Sequence, residues 1–228
     1  MRPLDLPALA IFDMIGTTVA GSDAVGDLFE ATLAQSGVSV ERAAIAAVRG
    51  LNKRDAFRSL AADTTPDAAD VDRLSAAWLA SFRRTLIDRF AAAPAREIPG
   101  TTATFEWLRA RGVVIALCSG LDREIVTDLA ARLGWTPALV SHVVSGDDVE
   151  RGRPAPDLIL EAMRRAGVSD RTRVLVAGDT PADLEAAHAA GIDAAVGVLS
   201  GAGTRGTLGR QPHALILESV AALVDVVH

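Results

Sequence analysis

The chain of 228 residues has no tyrosine, one cysteine and only 4% aromatic residues. The lone Cys118 excludes an internal disulfide, and a reducing cytoplasm is the expected setting. No apolar run approaches the roughly 18 residues that a membrane-spanning helix requires, so no membrane partner is expected. Met1-Arg2-Pro3-Leu4-Asp5 is too short and too acidic to read as a signal peptide. No basic block is present. Lys and Arg number 23 against 29 Asp and Glu, a net charge of −6, which argues against nucleic acid as a partner. The four histidines, His142, His188, His213 and His228, lack the spacing of a zinc site. What the chain does have is hydrophobicity: half of its residues are apolar, enough for a large core.

The apolar residues fall in short continuous runs: Ala8–Phe12, Val113–Cys118, Val174–Ala177 and, more weakly, Ala194–Val198 and Ala214–Leu217. Continuous runs of this length mean strands buried on both faces, as in a parallel sheet. Helical patterns lie between them, at about Thr101–Arg111, Arg123–Leu133, Pro156–Ala166 and Pro181–Ala190. Each is followed by a glycine suited to a helix end: Gly112, Gly134, Gly167 and Gly191. Strand alternating with helix predicts a doubly wound, Rossmann-like α/β fold. Residues 20–93 break this rhythm. They contain no strand-like run and read as helices at about Asp23–Ser36, Val40–Arg49, Lys53–Ala62 and Asp67–Phe90. Pro94 and Pro99-Gly100 mark the exit. The expected organisation is a core of residues 1–19 and 94–228 with an all-helical cap, 20–93, over the carboxyl ends of the strands. Trp78, Phe82 and Phe90 have the spacing of a cap core. Gly201–Gly209 reads as a flexible connection.

Chemistry is concentrated at strand ends. Asp13 closes the first apolar run and opens Asp13-Met14-Ile15-Gly16-Thr17-Thr18. Ser119-Gly120 follows Val113–Cys118. Gly152-Arg153-Pro154 precedes a helix, and Gly178-Asp179-Thr180-Pro181-Ala182-Asp183 follows Val174–Ala177. Phosphoryl transfer needs a nucleophile, a hard cation on oxygen ligands and donors for the phosphoryl oxygens. Asp13 suits the nucleophile and a magnesium ligand, with Asp179 and Asp183 completing the metal site. The Ser119 hydroxyl and the Arg153 fork suit the phosphoryl oxygens. Each has a plainer reading: Asp13 as a turn former, Asp183 as an early-helix acid, Ser119 as a helix cap in competition with Asp122, Arg153 and Lys53 as solvated cations. Asp147 and Asp148 are competitors for the metal. Cys118 reads as a small core residue and His188 as structural or exposed.

In this order the four motifs resemble the haloacid dehalogenase superfamily of phosphohydrolases over nearly the whole chain. Within it the chain is similar to the phosphonatase branch. Asp13-Met14-Ile15-Gly16-Thr17-Thr18-Val19 resembles that branch's Asp-x-Ala-Gly-Thr-Thr-Val, and Arg153 stands where most relatives carry lysine. Gly50-Leu51-Asn52-Lys53-Arg54-Asp55 resembles the cap segment that holds a Schiff-base lysine, here Lys53. The resemblance implies a cytoplasmic, Mg2+-dependent hydrolase, monomer or homodimer, that forms an aspartyl-phosphate at Asp13. Its metal ligands would be Asp13, the Ile15 backbone carbonyl, Asp179 and Asp183. Thr17, Arg49, Lys53, Ser119, Gly120 and Arg153 would bind the phosphate group or the rest of a small phosphonate or phosphate ester.

The chain departs from that branch at Ile15, where true phosphonatases have alanine. It also departs at Arg49 and Ala56, where they have methionine and histidine, and near Asp23, where they have cysteine. Ordinary phosphatases of the superfamily place a second Asp at the Ile15 position, as a general acid–base of the kind whose loss costs about 10²–10⁴-fold. A leaving carbon stabilised as an enamine on Lys53 would need no such acid. The expected activity is therefore C–P hydrolysis of a phosphonoacetaldehyde-type substrate. The alternatives are hydrolysis of a small activated phosphate ester or, less favoured, a ligand-binding protein that has lost turnover. The dehalogenases also lack the second Asp but do not need the acidic pair Asp179 and Asp183.

Overall fold

The computed structural model describes residues 4–48, 50–92 and 94–228. Six parallel strands form one sheet: β1 (Leu9–Asp13), β2 (Val114–Cys118), β3 (His142–Val144), β4 (Val174–Gly178), β5 (Ala194–Val198) and β6 (Leu215–Leu217). Their order is β3-β2-β1-β4-β5-β6. This is a doubly wound sheet, with its direction of winding reversed between β1 and β4. Successive side chains of β1 take opposite faces, as strand geometry requires. Ala10 and Phe12 pack with α5 (Thr101–Arg109) and α6 (Arg123–Arg132). Leu9 and Ile11 pack with α7 (Asp157–Ala166) and α8 (Pro181–Ala189). Burial on both faces is why the strands read as unbroken apolar runs.

β3 did not stand out in the sequence. It has three residues and pairs within the sheet with β2 alone, too little length for a periodic signal. The stretch Gly201–Gly209 contains a short helix, α9 (Arg205–Leu208), whose Leu208 is fully buried.

Among the described residues, four helices lie between β1 and α5: α1 (Ser22–Gln35), α2 (Arg42–Val48), α3 (Lys53–Ala62) and α4 (Ala68–Ala92). No strand is assigned among the described residues of this insert. Their centre is aromatic. Phe29 of α1 meets Phe57 of α3 at 4.9 Å and Phe82 of α4 at 4.8 Å between ring centroids. Each such fully buried ring contributes roughly 1.5–3 kcal/mol relative to an exposed one. Trp78 is also buried, whereas Phe90 is only partly so and lines a cavity at the insert's base.

The chain enters and leaves the insert through one narrow neck. Val19 and Glu97 form an antiparallel bridge, with Ala20 donating to the Arg96 carbonyl at 2.9 Å and Ile98 to the Thr18 carbonyl at 2.8 Å. No helix among the described residues is long and apolar enough to cross a membrane.

Candidate active site

Adjacent strand ends bring the polar residues together. Asp13 is in register with Cys118, which places Ser119 beside it, and β4 on the other side of β1 delivers Asp179. Ligands of open α/β sheets bind at this point of reversal. After Asp13 the chain turns tightly: the Thr17, Thr18 and Val19 amides all donate to the Met14 carbonyl, at 3.2, 2.9 and 2.7 Å. Gly16 is required in this turn. Its φ is +99°, and a Cβ there would lie 2.4 Å from Asp179 Oδ2.

Asp13, Asp179 and Asp183 are all buried, and one oxygen of each lies within 4.8 Å of the others. Arg153, 6% exposed, reaches across them. Its Nη1 is 2.7 Å from Asp13 Oδ1, its Nε is 2.9 Å from Asp183 Oδ1, and its Nη2 donates to the Cys118 carbonyl at 3.1 Å. Burial pushes the Asp13 carboxyl up to about 6 against the pull of Arg153, with Asp183 pushing it further up. Burial, then Asp13 and Asp183, raise Asp179 as well. For Arg153 burial opposes the charge, but Asp183 and Asp13 outweigh it and hold the guanidinium protonated. When ionised, three carboxylates face one guanidinium here, an excess of negative charge.

A divalent cation fits this set. Buried carboxylate oxygens are the donors that Mg2+ prefers. Asp183 Oδ1 is buried and accepts no hydrogen bond, since its contact with Arg153 is ionic in distance only. The other Asp183 oxygen takes the Thr180 amide at 3.0 Å and the Thr180 hydroxyl at 2.5 Å, closing a capping box on α8. Asp183 is therefore a buried early-helix acid whose Oδ1 is paired with Arg153 and takes no hydrogen bond, within a cluster it shares with Asp13 and Asp179.

Asp13, Ile15, Lys53, Ser119, Gly120, Arg153, Asp179 and Asp183 all border one cavity of about 50 Å³ between insert and core. A water needs about 10–15 Å³ by the same measure, so only a small ligand fits without further opening. Ser119 is 3% exposed, and its Oγ accepts from the Leu121 amide at 3.2 Å. Asp122 begins α6 but makes no side-chain cap; its carboxylate pairs with Arg83 of α4 at 2.8 Å. Lys53, the first residue of α3, donates from Nζ to the Leu51 carbonyl at 3.1 Å and lies 5.6 Å from the centre of the Phe29 ring.

Some sequence expectations land elsewhere. Thr17 is fully buried, donates to Asp179 Oδ1 at 3.1 Å and does not border the cavity. It orients a carboxylate and is not placed to touch phosphate. Asp147 and Asp148 do not join the carboxylate cluster. Asp147 accepts the Arg123 amide at 2.8 Å, and Asp148 pairs with Arg123 and Arg165. Arg49 lies outside the described residues, as does the side chain of Asp23. Ala56 is buried in α3 and His188 is exposed on α8. Cys118 is core: burial pushes its thiol up to about 12, which removes it as a nucleophile.

Two contributors gave no clear signal in the sequence. The loop after β5, expected to be a flexible connection, buttresses Asp179. Ala202 donates its amide to Asp179 Oδ2 at 2.7 Å, and Gly203 donates to the Asp179 carbonyl at 2.9 Å. A Cβ on Gly201 would fall 2.0 Å from the same carboxylate. Its glycines mark close approach, a meaning that composition alone does not distinguish from flexibility. The other contributor is Asn52, which caps α3 by accepting the Arg54 amide at 2.9 Å.

A family model described as haloacid dehalogenase-like hydrolase matches residues 7–191. Phosphonoacetaldehyde hydrolase of Bordetella pertussis is 28% identical over 198 residues, which cover 83% of this chain and 71% of that protein. Phosphonoacetaldehyde hydrolase of Vibrio cholerae is 33% identical over 151 residues, 64% of this chain and 53% of that one. Among solved structures, a phosphonoacetaldehyde hydrolase-like protein from Oleispira antarctica superposes with a TM-score of 0.82 at 20% identity, covering 99% of this chain and 94% of its own. A hydrolase from Pseudomonas syringae superposes at 0.80 with 23% identity over 96% of both chains. These two structures share the fold.

Proposed function

The chain belongs to the haloacid dehalogenase-like hydrolases, and from that membership we propose a magnesium-dependent hydrolase that acts at phosphorus through an aspartyl-phosphate on Asp13, with phosphonatase-like specificity. One observation carries the reading. The buried carboxylates and Arg153 share their cavity with Ile15, where an acid–base would otherwise stand, and with Lys53 at its edge. Asp13, Asp179 and Asp183, with the Ile15 carbonyl, would hold Mg2+, which when bound would neutralise the acidic cluster and the charge of the phosphoryl group. Arg153 and the Ser119 hydroxyl would hold phosphoryl oxygens while orienting Asp13. The helical insert, residues 20–93, would act as the cap that excludes water.

In this reading the Lys53 amine condenses with the substrate aldehyde and releases water. An Asp13 oxygen then attacks phosphorus as the C–P bond breaks. The electron pair of that bond passes to carbon and is delocalised onto the iminium nitrogen as an enamine. The carbon takes its proton later, so no acid is needed at Ile15. Water hydrolyses the aspartyl-phosphate, and a second water frees Lys53 and the aldehyde.

Phosphate release from phosphonates and phosphate esters, measured side by side with Mg2+, tests this function. Borohydride added with phosphonoacetaldehyde should attach the reduced carbon skeleton to Lys53, located by peptide mass. Turnover of that substrate with no adduct at Lys53 would sink the imine. The second reading, a phosphatase for a small activated ester, is favoured by one contact: the Lys53 amine already donates to a backbone carbonyl, as a cation that binds phosphate can.

Restoring the missing acid is expected to change the preference. Ile15 is half-buried at the cavity, and Ile15→Asp should raise hydrolysis of simple phosphate monoesters by about 10²-fold or more, the low end of a general acid–base contribution. An unchanged monoesterase rate in a folded Ile15→Asp variant would remove Ile15 as the reason such esters react poorly.

A further inference from the structure

The segment Gly50-Leu51-Asn52, between α2 and α3, rests on three separate loops of the core. A Cβ on Gly50 would fall 2.3 Å from Thr180 Oγ1, just before α8. A Cβ on Gly120, after β2, would fall 2.9 Å from the Leu51 carbonyl oxygen. A Cβ on Gly152, before α7, would fall 2.2 Å from Asn52 Cβ. Neither Gly120 nor Gly152 has positive φ, so backbone conformation does not demand glycine at either position. Space does: each lacks a side chain where the insert touches the core.

The same three residues set Lys53. The Leu51 carbonyl that sits on Gly120 accepts the Lys53 ammonium. Asn52, seated on Gly152, is the cap that starts α3 at Lys53. Gly152 in turn precedes Arg153, the guanidinium between Asp13 and Asp183. We propose that Asn52 is a positioning residue: its fit into the space left by Gly152 registers the insert on the core and fixes Lys53 at the cavity relative to Arg153. This rests on the reading above that the cavity between insert and core is the reaction site. A mismatch of one methyl group at this contact would hold the insert off the core and leave the cluster of carboxylates intact.

The test is a steric exchange. Gly152→Ala adds a Cβ against Asn52, and Asn52→Gly removes the atom it strikes. In the double variant the new Cβ would still lie 3.0 Å from the residue 52 amide nitrogen and 3.1 Å from its Cα. A shift of a few tenths of an ångström relieves that, so the expected rescue is partial. Closure is read by trypsin cleavage after Lys53 and Arg54 with Mg2+ and orthovanadate present, a measurement that needs no turnover. Gly152→Ala should be cleaved at least tenfold faster than the parent, and the double variant should recover most of that protection.

Phosphate release from p-nitrophenyl phosphate and phosphonoacetaldehyde should fall by about 10²-fold in kcat/KM for Gly152→Ala, as expected of a misplacement near 1 Å, and recover in parallel. Unchanged cleavage in Gly152→Ala, or a double variant no better protected than Gly152→Ala, would overturn the proposal. Should Gly152→Ala fail to fold by its thermal melt, Asn52→Phe places bulk on the same contact from the insert. It must then show the fast cleavage, and parent-like protection would overturn the proposal equally. Fast cleavage and rescue with no turnover of either substrate would leave the register standing and count against the proposed reaction alone.

Discussion

Asp13→Asn is expected to lower phosphate release by about 10⁴–10⁶-fold, the scale on which removal of a covalent nucleophile acts. An amide has the size of the carboxylate, and its oxygen can still accept from Arg153 Nη1, now 2.7 Å from Asp13 Oδ1. The fold should therefore persist. Two things go: the nucleophilic oxygen that would attack phosphorus, and one of the charges that would hold Mg2+. The check is phosphate release by the folded variant across the panel that the parent hydrolyses, with Mg2+ affinity measured by calorimetry. Activity within tenfold of the parent on its best substrate would mean that Asp13 is not the nucleophile. A normal Mg2+ affinity with abolished turnover would instead remove Asp13 as a metal ligand and leave it the nucleophile.

Arg153→Met should be nearly as damaging, and in stability too. Arg153 is 6% exposed and the only cation found within ion-pair distance of Asp13 and Asp183 among the described residues. Its loss leaves three buried carboxylates facing one another and orphans the Cys118 carbonyl. Breaking a buried pair from one side costs about 3–5 kcal/mol. At about 2–4 °C per kcal/mol for a chain of this size, Tm should fall on the order of 10 °C in chelator. Mg2+ should restore part of that by supplying the positive charge, and should stabilise Arg153→Met more than the parent. Arg153→Lys keeps a charge but cannot span Asp13, Asp183 and the Cys118 carbonyl at once, so it should fall between the two. An Arg153→Met variant melting within about 2 °C of the parent in chelator would show that the guanidinium is not what makes this cluster tolerable.

The alternation of strand and helix, the long all-helical stretch and the four motifs built on Asp13, Ser119, Arg153 and Asp179 were legible because each is local. An apolar run such as Val174–Ala177, set between Arg173 and Gly178, declares a buried strand without reference to anything distant. Asp13 and Asp179 could be picked out because they close such runs, and Asp183 because it stands four residues beyond Asp179. What stayed hidden depends on contacts far apart in the chain. Thr17 looks like any hydroxyl in a turn until Asp179, 162 residues away, takes its hydrogen bond. Glycines carry the same ambiguity: Gly201 and Gly203 read as slack, yet they are pressed against Asp179. β3 escaped for a different reason, being too short to show a period, and it is defined by its pairing with β2.

The neck at Val19 and Glu97 has a consequence for how such a molecule can change. The two ends of the insert leave the sheet side by side, already paired to each other. A segment whose ends meet can be lengthened, shortened or exchanged for another without altering the strand register below. Under the proposed function, such a change would reshape the cavity wall to which Lys53 belongs while Asp13, Asp179 and Asp183 stay where β1, β4 and α8 put them. The neck separates the wall of the cavity that the insert supplies from the carboxylates that the core supplies.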